Sequence, residues 1–323
     1  PVSARHWSTV SEAGAVSGIR LMFSIYRWFG RLPFRICLYP VILYYFLFQK
    51  SARHASLDYL RHMREDNRLT TEKPLLLQSY RHFMNFGECI LDKLAVWQGD
   101  IALDSLAFHN HEVFDEMVER GQGCVMVGSH LGNLEICRAL AKRNVDVTVN
   151  VLMHTAHATR FNEMLSRANS EAHVNVIQVS EINPATAILL KQKIDNGEFL
   201  VIAGDRTPVS GQGNVTEVSF LGERCFMPQG PFVLASILRC PVLSIFCLRR
   251  ERGGKPFFDL YMDHFADRIR LPRRDREQAL EETVQRWADL LADYCQKAPL
   301  QWFNFYSYWH RADAGPNSET KTD

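Results

Sequence analysis

The chain has 323 residues, 46% of them apolar and 23% charged, with a formal net charge of +1. That length is ample for a buried core in one large domain. So even a charge balance gives no bulk reason to bind nucleic acid, and no nucleic-acid-binding motif appears. The eight cysteines, at 37, 89, 124, 137, 225, 240, 247 and 295, form no C-x-x-C pair. They read as buried, reduced thiols of a cytoplasmic compartment, with no metal site implied. No cleavable signal peptide is expected at the start.

Charge is uneven along the chain. Residues 1–64 carry nine Lys/Arg against two acids, a local net of +7. The same region is the most apolar and aromatic, with an unbroken run at 36–48. Those 13 residues span roughly 20 Å as helix, short of a bilayer core of roughly 30 Å. Gly30 should break the segment before it, and Pro40 should kink it. Arginines alternating with Trp28, Phe29, Phe34 and Tyr39 suit a helix in an anionic headgroup layer. Residues 1–68 are therefore expected to form basic, apolar membrane-associating helices, 69–312 an α/β domain, and 313–323 a disordered tail.

Helical spacing continues through 51–66 and 75–97. From about residue 110 short apolar runs alternate with amphipathic stretches. Strands are predicted at 124–128, 145–152, 174–179, 199–203, 215–220, 242–248 and 257–262. Helices are predicted at 134–143, 159–168, 184–196, 230–238 and 276–297. Such alternation implies a mostly parallel central sheet flanked by helices, with ligands at the carboxyl ends of its strands.

His130 falls at such an end in "CVMVGSHLGNLEICRAL", with Gly132 for the turn and Glu135 in the next helical turn. A carboxylate that reaches back to the imidazole would fix its tautomer and leave the other nitrogen as a base. Amides at the helix start would favour an oxyanion. The blander alternative is a capping His beside a dipole-favoured Glu. "GSHLG" has histidine where a nucleophile elbow has serine, so Ser129 is no nucleophile there. His154 and His157 in "HTAH" could pair on a metal, but no further ligand sits at matching spacing. A second strand ends in Gly204-Asp205-Arg206, where Arg206 could bind a phosphate or an oxyanion and Asp205 could orient it. In "MPQGP", Pro228 and Gly230 either bring backbone close to a substrate or simply make tight turns.

Together "SHLGNLE", "GDR", "FLGERCFMPQGPFVLASILRCPVL" and "PLQWFNFYSYWHR" resemble the lysophospholipid acyltransferase-like superfamily, in its branch of lipid A acyltransferases (lauroyl and myristoyl transferases). The likeness runs over nearly the whole chain. Leu134 stands where that family often has Trp, and Asp205-Arg206 where it often has Asp-Gln. The resemblance implies acyl transfer from a thioester of acyl carrier protein, or of coenzyme A, to a hydroxyl or amine of a membrane lipid. It implies His130 as general base, Glu135 as its orienting carboxylate, and catalytic parts for Asp205 and Arg167, with Arg160 competing for the last; Arg206 joins the catalytic set from its own place at the strand end. It implies substrate contacts at Ser129, Gly132, Asn133, Arg160, Gly204, Pro228 and Gly230. No metal and no cofactor beyond the thioester co-substrate are expected. The protein would work on the anionic cytoplasmic face of the inner membrane. The alternatives are a lipid hydrolase and a non-catalytic lipid-binding protein.

Overall fold

The computed structural model describes residues 24–98, 103–137, 147–153, 174–178, 184–206 and 214–309. Seven strands form one sheet in the order β1-β9-β8-β2-β5-β3-β4. They are β1 (Leu106–His109), β2 (Val125–Gly128), β3 (Val149–Met153), β4 (Val174–Gln178), β5 (Phe199–Ala203), β8 (Val242–Arg252) and β9 (Lys255–Ala266). From β8 through β4 all neighbours are parallel; β9 runs antiparallel to β8, and β1 follows β9. The mostly parallel α/β architecture expected from the sequence is the one observed.

β2 is central because all four of its residues are buried, as the strand's apolar run requires with helices on both faces. Its alternation sorts the two cores: Val125 and Val127 join one cluster, Cys124 and Met126 the other. The first cluster is built on α2 (Lys50–Glu65), α6 (Gly230–Leu238) and α7 (Arg276–Lys297). The second is built on α1 (Arg31–Phe48), α3 (Leu75–Gln98) and α4 (Glu112–Glu119). Helix α5 (Pro184–Asp195) adds Leu190 and Ile194 to the first cluster and leads into β5.

The segment predicted as a strand at 215–220 is β6 (Val215–Phe220), but it does not enter the main sheet. It pairs with β7 (Glu223–Pro228) as a separate hairpin. Leu221 and Gly222, both at positive φ, make its two-residue turn, the geometry whose twist suits a hairpin. The helices predicted over 159–168 and through 143, and the tail from 313, lie outside the described residues.

Gly30, at φ 79, separates the helical residues 24–29 from α1, as expected. Pro40 does not end α1, which continues to Phe48 because its fold-facing side is packed at every turn. Phe34, Leu38, Ile42 and Phe46 recur every four residues and are buried. They lie on α3, where Gly87 admits Leu38: a Cβ at Gly87 would come within 2.7 Å of it. Phe46 meets Tyr80 and Phe83 edge-on at 5.5 and 5.4 Å. At the other end Arg31 reaches Asp92 at 2.5 Å and Arg35 reaches Glu88 at 2.6 Å. Arg249 of β8 closes the cluster, 2.8 Å from Asp92 and 3.3 Å from Glu88. Asp92 has a wholly buried side chain, so its charge is tolerable only with these guanidiniums present.

Candidate active site

Two strand ends build the site. β2 and β5 are neighbours in a register that sets Gly128 beside Ala203. Counting two residues past each strand therefore brings His130 level with Asp205. Gly204 N–H donates to the Gly128 carbonyl at 2.8 Å and holds the two ends together. The Asp205 carboxylate accepts from His130 Nδ1 and from the His130 backbone N–H, each at 2.8 Å. Its Oδ2 accepts two further N–H groups, from Trp302 Nε1 at 2.9 Å and Asn304 Nδ2 at 3.0 Å.

This arrangement corrects the expectation for Glu135. The carboxylate on Nδ1 is Asp205, supplied by the adjacent strand. Glu135 sits half-buried in a short 3₁₀ turn, Leu134–Cys137, with its backbone N–H capped by Asn133 Oδ1 at 3.2 Å. Its charge is felt at Cys89, a thiol that burial pushes up to about 12.

The expectation of free amides at the helix start is met only in small part. Most amides around this corner hold the chain's own shape. His130 N–H is bonded to Asp205, Leu131 N–H to Ser129 Oγ, and Gly132 N–H to the Gln301 carbonyl. Asn133 N–H donates to Cys247 O, and Ile136 N–H to Asn133 O. A 3₁₀ turn tied this closely to its neighbours has few donors to spare.

Residues 301–304 form a strap across the corner. Phe303 N–H donates to the His130 carbonyl at 2.9 Å, and Leu131 bridges Trp302. Gln301 is itself fixed by a reciprocal pair of 2.8 Å bonds to the Arg249 backbone. His82 of α3 donates through Nε2 to the Trp302 carbonyl, while Ser56 Oγ donates to its Nδ1. Burial pushes this imidazole down to about 4, which keeps it neutral and able to accept from Ser56.

Arg206 also ends on the strap, donating to Asn304 Oδ1 at 3.1 Å and to the Phe303 carbonyl at 3.4 Å. Burial lowers the His130 pKa below its ordinary 6.5; the positive charges of Arg206 and Lys93 add to this, and Asp205 opposes it. Burial alone would raise Asp205, but its bonds from His130 and the charge of Arg206 hold it below 3.8. With Nδ1–H donated to Asp205, Nε2 is the acceptor nitrogen, on a side chain 31% exposed. The arrangement can remove a proton from a group that approaches Nε2.

The other candidate positions divide clearly. Ser129 is buried and caps the Leu131 amide. Gly132, at φ 73, packs against the Cys247 carbonyl so closely that a Cβ would overlap it. Gly204 lies under Trp287, whose Nε1 donates to its carbonyl at 2.9 Å. Asn133 is buried beside Gly132. Pro228 and Gly230 lead into α6, and no described hydrogen bond links either to His130. Arg160, Arg167, His154 and His157 lie outside the described residues. Sequence reasoning missed Trp302 and Asn304, although a Trp and an Asn inside an aromatic run were a signal that polar tips there needed partners. Lys93 was missed as well, with no signal beyond its place on a helix.

The chain matches the family described as bacterial lipid A biosynthesis acyltransferase over residues 73–311. It belongs to that family. No curated protein matches the chain. The bacterial lipid A biosynthesis acyltransferase span includes His130, Asp205, Trp302 and Asn304, and leaves α1 and α2 ahead of it. At the level of the family the protein is an acyltransferase acting on lipid, and the family is membrane-associated. One described helix, α1, is long and apolar enough to cross a membrane.

Proposed function

We propose that the protein transfers a fatty acyl group from a thioester, carried by acyl carrier protein or alternatively coenzyme A, to a hydroxyl or amine of a membrane lipid. The reaction takes place at the cytoplasmic face of the bacterial inner membrane. The observation that carries the mechanism is the 2.8 Å bond from His130 Nδ1 to Asp205, which commits the opposite nitrogen to base duty. His130 Nε2 takes the proton of the acceptor as its oxygen or nitrogen attacks the thioester carbonyl carbon. The tetrahedral oxyanion forms near Arg206 and Lys93, the cations whose charge reaches His130 in a corner where most amides are already engaged. The C–S bond then breaks, and the departing thiolate takes the proton back from His130.

A continuous aromatic path links α1 to the site. Phe46 of α1 touches Phe83, Phe83 lies 4.7 Å from Phe305, and Phe86 lies 5.5 Å from Phe303, which is bonded to the His130 carbonyl. Phe46, Phe83 and Phe303 are buried, so the path is packed core joining α1 to the strap, and an acyl chain would meet it only from outside. The half-exposed Phe86 is the open side of the path.

The test is acyl-lipid formation from acyl carrier protein charged with several chain lengths, and from the coenzyme A thioesters, with total bacterial lipid as acceptor. An acylated product should form with the native protein and fall at least ~10³-fold in His130→Ala. Equal product from the two proteins would remove His130 as the base. Equal thioester loss without acylated lipid would point to hydrolysis.

The pH profile gives an independent check. The base must be neutral, and its pKa lies below 6.5, so activity should be level around neutrality and fall only as pH drops through that lower value. Arg206→Gln removes a positive charge that depresses the imidazole, so the acid limb should move to higher pH. An unmoved limb would mean that Arg206 does not act on His130.

A further inference from the structure

We infer that α1 lies along the membrane surface, held flat against the domain by α3, instead of crossing the bilayer. The inference rests on the membrane association proposed above and concerns its geometry. An 18-residue helix is about 27 Å long, close to the hydrocarbon thickness, so length alone permits a span. Packing does not. Its buried stripe from Phe34 to Phe46 is docked on α3 over four successive turns, from Tyr80 and Phe83 at one end to Glu88 and Asp92 at the other. α3 carries Arg81, His82, Glu88, Asp92 and Lys93 along this length, and its His82 holds the strap at the active site. A crossing α1 would draw that charged helix and its partner Arg249 into hydrocarbon, a cost no lipid contact offsets.

The opposite face of α1 suits an interface. Leu32, Ile36, Leu43 and Leu47 are 69, 62, 47 and 53% exposed, and Trp28, Phe29, Tyr44 and Phe48 extend the patch. At 100° per residue, positions 36, 43 and 47 fall within about 40° of one another, on one outward line. Such a contiguous apolar surface marks an interaction site. Its occupant is set by what borders it. Arg31 and Arg35 are turned inward to the acids of α3, so the outer cations are Arg27 before the helix and Lys50 after it. Exposed Arg252 and Lys255 join them from the β8–β9 turn, placed beside α1 by the 3.6 Å Arg35–Glu251 pair. Positive charge at both ends of an apolar face fits an anionic surface that both ends touch. A spanning helix would place one of those ends on the far side.

Site-directed spin labels test this directly. Ile36→Cys, Leu43→Cys and Leu47→Cys are labelled one at a time in the full chain carrying Cys37→Ser and Cys137→Ser, since Cys37 is the partly exposed thiol among the described cysteines. Depth is read from oxygen and nickel-complex collisions on phosphatidylethanolamine–phosphatidylglycerol vesicles. The three labels should sit at one depth within a few ångströms, roughly 5–10 Å below the headgroups. A graded depth, with positions 36 and 47 separated by about 16 Å along the bilayer normal, would show a span and overturn the inference while leaving membrane association intact. Water-like exposure of all three labels with vesicles present would overturn membrane association itself, and the inference with it.

Discussion

Asp205→Asn is expected to lower kcat by ~10³–10⁴-fold with little change in KM, the loss typical of a base held in the wrong tautomer. The reasoning is local. Oδ2 accepts N–H groups from the His130 backbone, Trp302 and Asn304, so an asparagine would keep its carbonyl oxygen on that side. Its amide nitrogen would then face His130 Nδ1, where only an acceptor fits the active tautomer. The imidazole would carry its proton on Nε2 and could not take another from the acceptor. Glu135→Gln removes a carboxylate that does not hold Nδ1, so its loss should be the smaller one. Steady-state rates of the two variants, with circular dichroism to confirm folding, decide the matter. A larger loss from Glu135→Gln would mean that the imidazole turns to Glu135 during the reaction.

Gly132→Ala should destabilise the fold by more than about 3 kcal/mol, and more than any exchange at the exposed site positions. Two causes combine. The residue has φ 73, which an L side chain rarely adopts, and its Cβ would overlap the Cys247 carbonyl. That carbonyl already accepts the Asn133 N–H, so β8 cannot retreat without losing the bond that sets the corner. Gly230→Ala is the natural control, because no atom lies within 4 Å of a Cβ there. Its stability should stay within about 1 kcal/mol of the native protein in denaturant titration. A Gly132→Ala protein of near-native stability would show that the corner can relax.

Much of the fold was legible because it is written in short-range patterns. The apolar runs of β2, β5 and β8 are each bounded by glycine, proline or a charge, and the 3.6-residue spacing of α3 and α7 is clear. β1 escaped notice because it is four residues long at the sheet edge, with a single buried position. The β6–β7 hairpin was half seen, since its turn has no Asn-Gly or Asp-Gly signature. At the site, position was easier to read than partnership. That His130 and Asp205 both follow strand ends is visible in sequence. That they touch depends on β5 lying next to β2 although β3 and β4 intervene in the chain, which no local period encodes. Glu135 was the nearest acid along the sequence, and distance along the chain proved the wrong measure. The strap was harder still, because residues 301–304 have no regular secondary structure and owe their place to side-chain bonds.

The strap also sets when the protein can first become active. His130 and Trp302 are separated by 172 residues, and the bonds from Trp302 and Asn304 to Asp205 need the later segment in place. At a synthesis rate of roughly 5–20 residues per second, a nascent chain carries its histidine for roughly 10–35 s before those donors are made. During that interval α1 has already left the ribosome and can find the bilayer. If α1 docks as inferred above, a copy stalled short of residue 302 would sit at the bilayer without a finished base.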